Sequence, residues 1–326
     1  MKDIYYAVIS NTIGDTICAT PTLKKLYDAY QRKINLVSQT DTKRVWINNP
    51  YINKIYTFEE FQCKFNSEFS GDFSRINYHE SYVLPGLYNQ FGMQRKFNMV
   101  DLRQVHANDI GIQLLPEEMT CEFYPNPFSN SFTLPKNYVV IHPSTNWPNR
   151  TWPIENWQKL VDYLSEKNIY TVVTGKNMVQ SEPGITTKKS IEPLNNLYGL
   201  DLTDKADLSD TWHLLNNAKM LITFDSGLLH LAGTTDTFIL QLGSAKNPKF
   251  VIPYRKGSQN YKYSYVKGKC DLFCTSNLMY SGKGRDDINS IPLLVGCLEN
   301  KQTFECHSSV EDVTKTIDYL FNNNII

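Results

Sequence analysis

The sequence predicts two facing, doubly wound α/β domains joined by a short linker. Three observations carry this: a strand–loop–helix–strand unit at the N-terminus, a proline-rich break near residue 126, and a fresh alternation of strands and helices beyond it. The chain has 326 residues, which at roughly 150 residues per domain suffices for two hydrophobic cores. The expected boundaries are an N-terminal domain over 1–125, a linker over 126–137, a C-terminal domain over 138–307, and a closing helix over 308–326 that folds back on the N-terminal domain.

In the first unit, Tyr5 to Ser10 is a β-rich run that ends at a polar, Gly-containing loop, Asn11 to Asp15. Pro21, Leu23, Leu26 and Tyr27 then recur at helical spacing up to about Tyr30, and Ile34 to Ser38 reads as a second strand. Asn98 to Leu102 reads as a strand followed by a helix through about Ile112, and Phe61 to Gln94 has no clear period and reads as irregular. Tyr124 to Lys136 holds Pro125, Pro127 and Pro135 among Asn, Ser and Thr, the composition of a linker.

Beyond the linker, strands are expected at Tyr138–Ile141, Tyr170–Val173, Met220–Phe224 and Thr237–Leu240. Helices are expected at Ile154–Lys167, Asp207–Ala218 and Gly227–Gly233. Val313, Ile317 and Leu320 mark an amphipathic helix from Val310 to Phe321. Ligands of such sheets sit beyond the carboxyl ends of the strands, and each motif below follows a strand directly.

Composition narrows the function. Apolar residues make up 41% and charged residues 20%, ordinary for a globular protein. Lys+Arg and Asp+Glu both number 33, so no global field favours nucleic acid or an anionic membrane. No apolar run approaches the length of a transmembrane helix, and no targeting segment is visible. Seven cysteines, an odd number spread over a long chain, do not make a disulfide framework. A cytoplasmic location is the resulting expectation.

Three segments have the residue types for handling a phosphorylated ligand. In Phe224-Asp225-Ser226-Gly227-Leu228-Leu229-His230 a strand gives way to a helix whose first N–H groups favour an anion such as a diphosphate. Gly227 permits close approach, Ser226 either caps the helix or meets a phosphate oxygen, and His230 lies one turn in. In Ile141 to Pro153 a long loop carries Thr145, Asn146 and Arg150, the last a fork-shaped donor suited to phosphate, between Trp147 and Trp152. In Ser10 to Pro21, Asp15 follows Gly14 and is either a general base for a hydroxyl or a helix cap.

Taken in order, these segments resemble glycosyltransferase family 9, the ADP-heptose heptosyltransferases and their relatives. The likeness starts at Gly14-Asp15 with Thr20-Pro21-x-Leu23-x-x-Leu26. It continues through His142-Pro143, Arg150-x-Trp152-Pro153 and Trp157-x-x-Leu160. It ends with Asn196 to Leu200 and Asp225-Ser-Gly-x-x-His230-Leu-Ala.

The resemblance implies a GT-B fold of two facing Rossmann-like domains with the active site in the cleft. It also implies an inverting transferase that needs no cofactor for catalysis. The donor would be a nucleotide-diphosphate sugar, ADP-heptose or related, and the acceptor a hydroxyl on a glycan or protein. Asp15 would be the base; Thr145, Asn146, Arg150, Asp225, Ser226, Gly227 and His230 would bind the donor. The alternative is a nucleotide-sugar-binding GT-B protein without catalysis.

Two departures stand out. Lys176 follows the strand ending at Gly175, where many family members place an acidic residue on the ribose. The N-terminal half has no basic set suited to a phosphorylated lipopolysaccharide core.

Cys270, Cys274, Cys297 and Cys306 fall in the last third. Four thiolates suit a structural Zn or Fe site, as in the protein-modifying autotransporter heptosyltransferases that this region resembles; four unliganded thiols are the other reading. Cys18, Cys63 and Cys121 read as isolated thiols, and His79, His106 and His213 lack partners at metal or triad spacing. Lys246, Lys249, Arg255 and Lys256 follow the nucleotide half and either touch phosphate or form a solvated surface, the latter being the favoured reading.

Overall fold

The computed structural model describes residues 3–8, 10, 12–65, 81–86, 100–108, 110–129, 132–143, 150–176, 193–273 and 305–326. Its strands form two parallel sheets. The first takes β1 (Asp3–Val8), β2 (Ile34–Ser38), β3 (Ile52–Thr57) and β4 (Ser81–Gly86) in the order β3-β2-β1-β4. The second takes β5 (Val139–His142), β6 (Thr171–Val173), β7 (Gly199–Asp201), β8 (Met220–Thr223), β9 (Phe238–Leu242) and β10 (Tyr263–Val266) in the order β10-β9-β8-β5-β6-β7. In each sheet the chain starts at an inner strand and winds outward in both directions, which creates a switch point where ligands bind.

The six-stranded sheet is buried on both faces, as parallel sheets are. Alternate residues of a strand point to opposite faces. Val140, Leu221 and Ile239 join one core, while Val139, Ile141, Met220, Ile222 and Leu240 join the other. The second core is closed by α5 (Ile154–Glu166), through Trp157, Leu160 and Leu164, and by α8 (Val310–Asn322), through Val313, Ile317 and Leu320.

This corrects the expectation that 308–326 folds back on the N-terminal domain. The apolar stripe of α8 meets α5, and Tyr163 Oη donates to Asp318 at 2.6 Å.

The N-terminal half departs from the sequence reading in two places. The stretch over 61–94 is not wholly irregular. Helix α3 (Phe58–Phe65) enters it, and β4 lies within it, paired in parallel with β1 from Asp3↔Ser81 to Val8↔Gly86. Pro85 hides this strand from pattern reading, and β4 tolerates it because it is an edge strand.

The strand expected at 98–102 is absent from its described part. Helix α4 (Leu102–Asn108) already begins at Leu102, because Asp101 accepts from the Arg103 backbone N–H at 3.0 Å and caps it. Residues 98 and 99 lie outside the described residues. Helix α2 (Thr20–Tyr30) runs as expected and ends in left-handed Gln31, and α6 (Leu208–Asn217) starts at its cap Asp207.

Candidate functional site in the cleft between the sheets

Asp15 sits on a helix, not in a turn. Thr12 accepts from the Asp15 N–H and so starts α1 (Ile13–Cys18) two residues before the carboxylate. Across the cleft, Ser226 accepts from the Leu229 N–H and starts α7 (Gly227–Ala232) directly after β8. The two short helices pack on one another through their glycines. A Cβ on Gly14 would lie 2.8 Å from His230 Cδ2 and 3.3 Å from Gly227 Cα, and one on Gly227 would lie 3.5 Å from the Gly14 nitrogen. The missing side chain of Gly227 thus lets α1 approach.

Asp225 is the centre of charge. It is buried, its Oδ2 accepts from Arg150 Nη1 at 2.7 Å, and its carbonyl accepts from the same nitrogen at 3.1 Å. His230 Nε2 stands 3.7 Å from its other oxygen. Burial alone would raise the Asp225 carboxyl. The Arg150 charge, the His230 contact and the Lys246 charge overcome it and hold the group well below the usual carboxylate range.

The Arg-x-Trp-Pro spacing has a mechanical reason. Trp152 is buried against Trp157 and Phe224, and its indole N–H donates to the Ser308 carbonyl at 2.9 Å. That anchor fixes the chain two residues after Arg150, so the guanidinium is delivered to the residue that follows Phe224.

Several residues of the cleft escaped sequence reading. Cys18 is not isolated: its sulfur lies 3.3 Å from His230 Nδ1, and Cys121 is its other neighbour. Burial pushes the Cys18 thiol well up, while the neighbouring Cys18 draws Cys121 down. His106 on α4 is buried against the Asp15 backbone, and its Nε2 has no hydrogen-bond partner. Burial lowers its pKa to about 4. His142, at the end of β5, is lowered to about 4 by the same cause, although its Nδ1–H donates to the Thr174 carbonyl at 2.8 Å.

Lys246 and Arg255 are buried, not solvated. Arg255 clamps the carbonyls of Thr235, Thr237, Tyr261 and Lys262. Lys249 and Lys256 are exposed, as is Cys63. His213 donates from Nε2 to the Asn126 carbonyl at 2.8 Å.

Thr145 and Asn146 lie outside the described residues, as do Trp147, Cys274, Cys297 and His79. Of the cysteine set, Cys270 and Cys306 lie on two segments that meet through backbone: the Cys270 N–H donates to the Glu305 carbonyl at 3.0 Å. Among the described residues, no group of three or more His, Cys, Asp or Glu is placed to hold a metal. No helix of the described residues is long and apolar enough to cross a membrane.

Two facing parallel α/β sheets with a polar cleft between them define a GT-B glycosyltransferase fold. The family model for glycosyltransferase family 9 (heptosyltransferase) matches residues 91–272, more than half of the chain. The chain belongs to glycosyltransferase family 9 and is a glycosyltransferase. That match contains Arg150 and Asp225 to His230; Asp15 lies before it.

Lipopolysaccharide heptosyltransferase 3 of Escherichia coli is 20% identical over 288 residues, covering 74% of this chain and 83% of that protein. Among solved structures, a family 9 glycosyl transferase from Veillonella parvula aligns with a TM-score of 0.64 at 15% identity, over 99% of this chain and 98% of that one. The iron-containing dodecameric glycosyltransferase TibC from enterotoxigenic E. coli aligns with a TM-score of 0.69 at 16% identity, over 99% and 77%. E. coli ADP-heptose lipopolysaccharide heptosyltransferase II aligns at 0.53 and 15%, over 81% and 90%.

Proposed function

We propose that the protein transfers a heptose-like sugar, with inversion, from ADP or a related nucleoside diphosphate to a hydroxyl of a glycan or protein. The observation that carries this is the juxtaposition of α1 and α7, which brings the helix of the half-buried Asp15 onto His230, the neighbour of Asp225, with the Asp15 charge acting on Lys246 beside the Arg150–Asp225 pair. TibC has been solved with ADP-D-β-D-heptose, which supports that donor class. Residues 126–137 act as the linker between an acceptor-side and a donor-side domain.

In this reading Asp15 takes the proton of the acceptor hydroxyl as its oxygen attacks the anomeric carbon. The bond from that carbon to the diphosphate oxygen breaks, and the electron pair leaves with the nucleoside diphosphate. Arg150 meets the diphosphate, with His230, Ser226 and Gly227 beside it and Thr145 and Asn146 on the loop before it; Asp225 holds Arg150 and His230 in place. Fixed charges aimed at a leaving group stabilise the transition state more than the ground state.

The test is Asp15→Asn. General base catalysis contributes on the order of 100- to 10,000-fold. Transfer should therefore fall by about that factor while calorimetry gives unchanged nucleotide affinity. Normal turnover by Asp15→Asn excludes it as the base.

The cysteine set supports a structural Zn or Fe site outside the cleft. The Cys270 and Cys306 segments are joined by the Cys270 N–H to Glu305 carbonyl bond, thiolate donors suit either metal, and TibC is an iron-containing relative. Cys270, Cys274, Cys297 and Cys306 would hold it, and it would tie the 270 segment to the 306 segment. Purified protein free of both metals by elemental analysis removes this part of the proposal.

A further inference from the structure

The loop after β9 carries a lysine that the family motifs do not use. β9 lies beside β8 in parallel, with Thr223 opposite Gln241. Asp225 follows β8 by two residues and Lys246 follows β9 by four, so both leave the same edge of the sheet. Lys246 is 7% exposed, and the charges that face it are those of Asp225, Arg150 and Asp15.

The loop is held rather than free to swing. The Gly243 N–H donates to Ser308 Oγ at 2.6 Å, and the Lys246 N–H donates to Ser244 Oγ at 3.2 Å. A Cβ on Gly243 would collide with the Gly268 nitrogen and the carbonyls of Val266 and Cys306.

We propose that Lys246 is a second cation for the diphosphate: it binds the phosphate attached to the sugar and faces the charge that appears there when the glycosidic bond breaks. This rests on the donor reading above. The reason is charge balance. Arg150 is bound twice by Asp225, through a carboxylate oxygen and the carbonyl, and Lys246 faces both Asp225 and Asp15, so two cations stand against two carboxylates. A sugar diphosphate arrives as a dianion and leaves with one more negative charge. As Asp15 takes the acceptor proton its charge is lost, and the positive charge of Lys246 is left to face the new one where little water competes and electrostatic stabilisation is strongest.

No proton moves from Lys246 in the step. The acceptor proton goes to Asp15, the new bond joins the acceptor oxygen to the anomeric carbon, and the electron pair of the broken bond stays on the phosphate oxygen. A buried cation also strains the empty protein. Burial lowers the Lys246 ammonium against the pull of Asp225 and Asp15, so the charge is placed there against its own solvation.

The experiment compares wild type with Lys246→Met, Lys246→Gln and Lys246→Arg. Affinities for ADP, UDP and GDP are measured by calorimetry against the matching monophosphates, beside steady-state transfer. Wild type should prefer one diphosphate over its monophosphate. Lys246→Met and Lys246→Gln should lose about 10- to 100-fold of that preference, the size of a hydrogen bond to a charged group. Monophosphate affinity should stay within a few-fold. Turnover should fall by roughly 100-fold or more, and Lys246→Arg should recover part of both.

Lys246→Met, which removes a buried charge, should melt at or above the wild-type temperature, whereas a purely structural lysine would lower it. A wild-type diphosphate preference kept in the Met and Gln variants overturns the role of Lys246 alone. Wild type that binds no nucleoside diphosphate overturns the donor reading with it. If Lys246→Met does not fold, Lys246→Gln and Lys246→Arg decide the same ratio.

Discussion

The two walls of the cleft are built to different standards. On the six-stranded side, Arg150, Asp225, His230 and Lys246 come from three separate strand ends and hold one another, with Trp152 and Ser308 pinning two of the loops. On the four-stranded side, one carboxylate, Asp15, stands on a six-residue helix. The six-stranded wall is over-determined and the four-stranded wall is not, and this divides the expected effects of mutation into two sets.

The largest effect is on pH stability, and each wall supplies one histidine. His106 and His142 each have a native pKa of about 4 against an ordinary 6.5. The unfolded chain therefore takes up protons first as pH falls. Stability is fully present above about pH 6.5 and is lost progressively down to about pH 4, by up to about 3 kcal/mol per histidine. Asp225 acts later: its lowered carboxyl stabilises the fold above the ordinary carboxylate pKa, and that share is lost only as pH falls below it. Urea unfolding from pH 7.5 to 4 should show the slope, and His106→Gln and His142→Gln should each remove part of it. A flat wild-type profile over that range contradicts the burial of both imidazoles.

The next effect separates the two carboxylates. Asp225→Asn leaves Arg150 and Lys246 without their shared anion and should cost about 3 kcal/mol, the lower end for breaking a buried pair. Asp15→Asn, at a half-buried carboxylate that leaves the Arg150–Asp225 pair intact, should cost about 1 kcal/mol or less. Equal costs in denaturant unfolding would mean that the walls are equally built.

That asymmetry also explains what could be read beforehand. Asp225 to His230 and Arg150-x-Trp152-Pro153 are local patterns, each set by one strand end and one helix start, and their meeting was expected. Asp15 stands out in the sequence because it follows Gly14, but its helix does not, because Thr12 as a cap looks like any threonine in a polar loop. Helix α3 was missed although Thr57 and Glu60 form a reciprocal capping box, with Glu60 Oε2 accepting from the Thr57 N–H at 2.8 Å.

The burial of Lys246, Cys18 and His106 is not written in the local sequence. Their burial depends on which loops meet across two sheets. A lysine after a strand looks solvated until the neighbouring strand end is known, although the rule that ligands gather at carboxyl ends pointed to that loop.

The contact between the walls can be forced open. Gly14→Val pushes a branched side chain into His230 and the Gly227 backbone. Overpacking of this kind costs about 1–3 kcal/mol. Because it separates α1 from α7, turnover should drop while nucleotide binding to the six-stranded wall stays within a few-fold. If nucleotide binding fell as far as turnover, α1 would belong to the six-stranded wall and the division would fail.

The smallest effect sets two equivalent caps against each other. Thr12 accepts from the Asp15 N–H at 3.4 Å, and Ser226 from the Leu229 N–H at the same distance. Each begins a six-residue helix, so Thr12→Ala and Ser226→Ala should each cost about 1 kcal/mol of stability, the usual worth of such a cap. Their functional costs should differ in kind. Loosening α1 displaces the base and should lower kcat with donor KM unchanged. Loosening α7 shifts His230 and the Asp225 carbonyl, and should raise donor KM. Similar shifts in kcat and KM for both variants would mean that the two helices move as one unit, so that the cleft has a single wall where acceptor and donor meet.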